Sequence, residues 1–318
     1  MEKMVKKIKK TIVVPVDGSE NALKPMDYIN LIFGPKHSLK LSLVYLLPKL
    51  PLILFEESRK SQETVDQLQE IEKKNSQMAE HILADAKDRL RNIGFTQKAV
   101  ETVFRDIRVG VARDICSWAE KNKKADAIFI SSRGHGRVRA FFTGKIANKV
   151  LEYVKVCPVW MVKGAVRNKN VLIAVDNSEN AMRAVDHAGF ILSGTEVMVT
   201  VYHSKRDLRR FVPKEVLQEF PGVQKFWQKK AGDMVAPYMK KARSKLLQAG
   251  LAENQISVKV IDGSRSAARD ILNEAEENAI GTVILGRKGY SNVEDYSMGS
   301  TTKKVLDRAS DMTVCIVP

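Results

Sequence analysis

The chain repeats itself, and the repeat limits the folds open to it more than any other feature. IVVPVDGSENALKPMDYI at 12–29 returns as LIAVDNSENAMRAVDHAGF at 172–190, so Asp17 answers to Asp176 and Ser19-Glu20-Asn21-Ala22 to Ser178-Glu179-Asn180-Ala181. VGVARDI at 109–115 returns within DGSRSAARDI at 262–271, with Gly110 set against Gly263. Gly134 and Gly144 answer to Gly289 and Gly299, and the closing PVWMV at 158–162 to TVCIV at 313–317. Matches in one order along 318 residues mark a tandem duplication, each copy long enough to bury a core of its own. The expected boundary falls near GAVRNKN (164–170), giving domains 1–165 and 166–318.

Within each copy, apolar β-branched runs alternate with stretches of helical period. TIVVPV, LKLSLVYLL, KAVETVFRDIRV, ADAIFISS and CPVWMVK read as five strands. Helices are expected after Asp17, around 59–93, over 112–123 and over GKIANKVLEYV. Strands separated by helices require crossover connections. The predicted class is therefore α/β: two tandem Rossmann-like domains, each a mainly parallel five-stranded sheet with helices on both faces.

Composition excludes several classes. Hydrophobic residues at 44% with charged residues at 28% describe a folded chain, not a disordered one. Three widely spaced cysteines, Cys116, Cys157 and Cys315, build neither a disulfide framework nor a zinc site, and they fit a reducing cytoplasm. The basic start MEKMVKKIKK lacks the apolar core and cleavage site of a secretory signal. The most apolar window, LSLVYLLPKLPLILF, is short and broken by Pro48, Lys49 and Pro51, so no membrane association is expected. The net charge of +16 would suit nucleic acid, an anionic surface or a phosphate ligand. Its basic residues are scattered without aromatic interleaving, which argues against nucleic acid.

The most specific chemistry lies in the second copy. The strand GTVILG ends at Gly286, Gly289 follows, and after nine residues Gly299-Ser300 opens a helix. Glycines let backbone N–H groups approach an anion and let the chain take positive φ. Ser300 would add a hydroxyl beside the positive end of a helix, with Arg287 and Lys288 supplying charge. Ordinary turn and cap roles would explain the same residues.

This pattern resembles the universal stress proteins, whose nucleotide-binding members carry G-x-x-G-x9-G-[S/T] before the last helix. Gly286, Gly289, Gly299 and Ser300 match every position, and Asp176 stands where the family has its strand-one acid. The resemblance runs from about Lys10 to Pro318. It implies an ATP-binding stress-response or signalling module, with magnesium a further candidate ligand. The glycine loop and Ser300 would hold the triphosphate, Asp176 would face ribose or adenine, Tyr202 would lie in the adenine region, and Gly263 would leave room for the nucleotide. A slow ATPase or phosphoryl-transfer enzyme using the same site, or a nucleotide-independent interaction scaffold, are the alternatives. The resemblance also implies pairing through the closing strands. Here PVWMV and TVCIV can pair within one chain as a pseudo-dimer, with homodimers open and the protein partner unidentified.

The first copy departs from the pattern. Ser131 replaces the first glycine and Lys145 the small hydroxyl residue. Either Lys145, with Arg133, His135 and Arg137, binds an anion as a point charge, or the lysine fills the pocket. No phosphate-binding G-x-x-x-x-G-K-[S/T] loop or kinase motif set is present, and no catalytic residue is assigned. Glu294 and Asp295 could position a metal or belong to a solvated surface.

Overall fold

The structure, a computed structural model, describes residues 9–34, 38–58, 61–132, 144–262, 266–289 and 298–318. The chain divides into two compact units, one of Met1–Asn30 with Gly34–Cys157 and the other of Leu31–Phe33 with Pro158–Pro318.

In the first unit the strands are β1 (Lys10–Val16), β2 (Leu39–Leu47), β3 (Val100–Asp106) and β4 (Ala127–Ser132). They lie in the order β3-β2-β1-β4, each pair parallel. The helices are α1 (Glu20–Phe33), α2 (Leu52–Ser58), α3 (Gln62–Asn92), α4 (Val111–Ser117) and α5 (Gly144–Tyr153). Every residue of β4 is buried, so helices cover both of its faces, as parallel strands require. The outer strand β3 is half-buried to exposed after its first residue.

The second unit begins with β5 (Val159–Lys163) and continues through β6 (Asn170–Ala174), α6 (Glu179–Leu192), β7 (Val199–Lys205), α7 (Lys214–Glu219) and α8 (Pro221–Gln248). It closes with β8 (Ile256–Asp262), α9 (Ala267–Glu277), β9 (Ile280–Gly286), α10 (Ser300–Arg308) and β10 (Thr313–Val317). Strand order is β5-β10-β9-β6-β7-β8. All neighbours are parallel except β5, which runs antiparallel to β10 with Val162 opposite Thr313 and Val159 opposite Ile316. By sequence β5 closes the first copy, yet it packs with the second unit. Its end is tied there by Lys163 N–H donating to the Met312 carbonyl at 3.2 Å.

The two long helices end alike. Gly94 and Gly250 take φ near 98° and 99°, and the following N–H groups of Phe95 and Leu251 reach back to the carbonyls of Leu90 and Leu246. This six-to-one bond with a left-handed glycine is the Schellman stop, which satisfies carbonyls that the helix leaves open. It fixes a register of 156 residues between α3 and α8. The same register aligns ARDI at 112–115 with ARDI at 268–271. Gly110, the N-cap of α4, therefore corresponds to Ser266, the N-cap of α9, and not to Gly263. The earlier pairing matched glycine to glycine, but the conserved geometry is the helix start.

Trp160 on β5 is fully buried and donates its Nε1–H to His187 Nε2 on α6 at 2.9 Å. The acceptor nitrogen must be unprotonated, and burial pushes the His187 pKa down to about 3. The unfolded chain binds this proton below about pH 6.5 while the folded chain refuses it, so stability is lost as pH falls from there toward 3. At about pH 5 the expected loss is about 2 kcal/mol. His187→Gln keeps an acceptor for Trp160 without titrating and should remove that part of the slope. Urea unfolding at pH 7 and pH 5 checks this, and equal slopes in the two proteins would refute it.

Candidate functional site

Parallel strands carry their ligand sites at their carboxyl ends, and there the second unit has a cavity of about 350 Å³. Its floor is the ends of β6, β7 and β9 with the start of α6; one wall is α8, and the opposite wall is the turn after Gly286 and the first residues of α10.

Asp176 follows β6 and folds back on the chain. Its Oδ1 accepts the Ser178 N–H at 3.0 Å and the Ser178 hydroxyl, while Ser178 Oγ caps α6 by accepting the Ala181 N–H at 3.1 Å. Asp17 and Ser19 make the same turn in the first unit. The turn is thus a structural device common to both copies, and in the second copy Asp176 Oδ2 faces the glycine loop. That oxygen lies 2.7 Å from the place where a Cβ on Gly289 would stand. Any side chain at 289 would collide with the carboxylate, which makes the loop a cradle that glycine alone leaves open.

The other glycines have different reasons. A Cβ on Gly286 would stand 2.6 Å from the backbone carbon of Asn180, so this glycine admits the first turn of α6 against β9. Gly299 N–H donates to the Arg287 carbonyl at 2.8 Å, closing the loop at its base. None of the three has positive φ. The loop uses glycine for close approach, not for left-handed backbone.

Asp176, Tyr202, Gly286 and Gly289 come together in the cavity lining, joined by Lys288. Arg287 does not line it; its N–H is tied to the Val317 carbonyl at 2.7 Å. Ser300 is exposed and lies outside the lining, where Thr301 and Thr302 stand instead. Thr302 Oγ1 donates to the Gly286 carbonyl at 2.9 Å. Among the described residues no side chain caps α10 at Gly299, in contrast to the serine caps of α6 and α9, an arrangement that would favour an anion at its positive end. Tyr202 is 1% exposed, its hydroxyl donates to the Asp270 carbonyl at 3.2 Å, and its own carbonyl accepts the Val175 N–H. Its side chain serves the packing of β7 on α9. Gly263, Glu294 and Asp295 lie outside the described residues.

Sequence reasoning missed the α8 wall and His203. His203 follows Tyr202 on β7, and its Nδ1 lies 2.7 Å from the Val175 carbonyl. A carbonyl only accepts, so Nδ1 carries the hydrogen and Nε2 is free to accept from the Tyr238 hydroxyl at 3.2 Å. Burial lowers the His203 pKa, opposed by that hydrogen bond and by Asp176. Burial, with Asp176 nearby, raises that of Tyr238. The pair is neutral and can offer hydrogen bonds without charge. Trp227 donates its Nε1–H to the Arg206 carbonyl at 2.8 Å, and Met234 completes the wall. On the far side Lys205 is held by Asp262 at 2.7 Å. The compartment near α8 is therefore aromatic, with Arg206 and the paired Lys205 also in its lining, and the loop side carries Lys288 and the helix end.

The 156-residue register places Ile82 where the second unit has Tyr238. Ile82 Cδ1 lies 2.9 Å from the place of a Cβ on Gly18, so α3 packs directly on the turn after β1. In the strands Tyr45 pairs with Val16 and Tyr202 with Ala174, so with Asp17 matched to Asp176 the buried Tyr45 stands at the position of His203. Arg133, Gly134, His135 and Arg137 lie outside the described residues, as does the side chain of Lys145.

Comparison with known proteins agrees with the duplication. The sequence model of the universal stress protein family matches twice, over residues 9–163 and 167–318. The universal stress protein YxiE of Bacillus subtilis is 24% identical over 159 residues, covering 46% of this chain and 95% of YxiE. The crystal structure of a universal stress protein from Archaeoglobus fulgidus has a TM-score of 0.58 at 20% identity, covering 96% of this chain and 95% of that one. A putative universal stress protein from Pseudomonas aeruginosa scores 0.52 at 17% identity, covering 98% and 94%.

Proposed function

The chain belongs to the universal stress protein family, and on that premise we propose that its second unit binds ATP as the switch of a stress-response or signalling protein. The observation that carries the reading is the approach of Gly289 to Asp176 at the mouth of a cavity sized for a small ligand. A nucleotide needs an anion-tolerant end and an aromatic, hydrogen-bonding compartment for its base, and the lining residues suit both. Lys288, the Gly289 backbone and the uncapped start of α10 would take the phosphates. Asp176 would face the ribose or base, and the His203–Tyr238 pair and Trp227 would border the base. Bound ATP would supply a polyphosphate charge for Lys288, the Gly289 backbone and the start of α10 to hold. A micromolar affinity would make about 8 kcal/mol available at standard state, enough to bias a loop equilibrium.

The packing of Ile82 on the first unit's turn supports a single site per chain. The β5–β10 ladder supports the reading as an internal pseudo-dimer that covers both closing strands. Three buried cysteines, none of them in a disulfide, fit a cytoplasmic setting. Denaturing freshly purified protein and identifying released nucleotide by mass spectrometry tests the reading. About one ATP per chain is the expected result. Two per chain would assign a site to the first unit, and ADP alone would point to slow hydrolysis. Neither bound nucleotide nor binding of added ATP would leave an interaction scaffold.

A further inference from the structure

We propose that the α7–α8 elbow of the second unit is a docking surface for an anionic lipid bilayer. The large exposed apolar side chains of that unit concentrate here: Phe211 at 61%, Phe220 at 54%, Val223 at 51% and Phe226 at 62% exposed. Side chains more than half exposed stand out from the surface. A peptide partner calls for a groove with anchoring pockets, whereas protruding aromatic groups suit insertion among acyl chains. A patch of this kind is uncommon on a surface without a partner.

The charge around the elbow selects the lipid. Lys214, Lys225, Lys229 and Lys230 are exposed along this stretch and outnumber its exposed acids, Glu215 and Glu219, and Lys230 Nζ lies 6.0 Å from the Phe226 ring. Among the described residues, none forms a salt bridge with Lys225, Lys229 or Lys230. Acyl-facing aromatic groups flanked by lysines at headgroup level are the pattern of an interfacial segment, and the net charge of +16 favours an anionic surface. No described helix is long and apolar enough to cross a membrane, so the attachment is peripheral. The sequence alone points away from membranes because its apolar windows are short. The signal lies in a few rings that folding leaves outside.

Flotation of the full chain with vesicles of phosphatidylcholine and phosphatidylserine at about 7:3 tests the proposal, against pure phosphatidylcholine. Binding to the mixed vesicles that weakens with salt is expected, falling at least about ten-fold in Phe220→Ser/Phe226→Ser and in Lys225→Glu/Lys229→Glu. These side chains are exposed, so both variants should keep the wild-type circular dichroism and melting temperature. Absence of binding, equal binding to neutral vesicles, or unchanged binding by folded variants would overturn it. A self-association abolished by the same phenylalanine changes would assign the patch to a second copy instead and equally defeat the proposal.

Discussion

Gly289→Val should weaken ATP binding at least about a hundred-fold while leaving the second unit folded. The β-branched side chain enters the space that Asp176 Oδ2 borders at 2.7 Å. Asp176 has little room to retreat, because Oδ1 is held by the Ser178 N–H and hydroxyl. The valine must therefore fill the cavity mouth, where it also removes the backbone approach that an anion needs. Isothermal titration with ATP and a thermal melt separate the two consequences. Wild-type affinity in the variant would sink the assignment of the loop, and a collapsed melt would show that the glycine is needed for folding.

Gly286→Ala should do the opposite, costing about 3 kcal/mol or more of stability in the second unit. Its new methyl would meet the Asn180 backbone carbon at 2.6 Å and the carbonyl oxygen at 2.8 Å, and these sit in the first turn of α6, which cannot rotate aside as a side chain would. Relief requires α6 to move off β9, loosening buried contacts of Ala184, Val185 and Ala188. In the first unit Ser131 holds this position and is buried, so that copy already seats its helix around a Cβ. Urea unfolding measures the effect; a loss below about 1 kcal/mol would mean that α6 adjusts easily. The two substitutions would thus separate a packing glycine from the glycine proposed to face the ligand.

The strands were legible because parallel strands buried on both faces are written as continuous β-branched runs, as in IVVPV and TVILG. The duplication was legible because Ser19 and Ser178 cap equivalent helices with equivalent turns. The boundary residues were harder. β5 belongs to the first copy by sequence, yet its partner β10 is far along the chain, and pairing across such a distance leaves no local mark. The short helix α2 escaped notice because LILF reads equally as strand or helix, and tertiary contact decides between them. Half of the cavity was hidden for a related reason. Helical period tells that Trp227, Met234 and Tyr238 share a face of α8, but not that Asp176 and Gly289 stand opposite. Tyr202 and Ser300 illustrate the converse: their positions beside the site were readable, and their directions were not.

The antiparallel ladder between β5 and β10 has a consequence for dosage. Two separate chains that join edge strands find each other only as abundance allows, and dilution returns them to open edges. Here both strands are covalently joined, with only residues 164–169 between β5 and the start of β6. The local concentration of one strand for the other is set by chain length, not by expression. The β5–β10 seam is therefore as complete in a cell holding few copies as in one holding many.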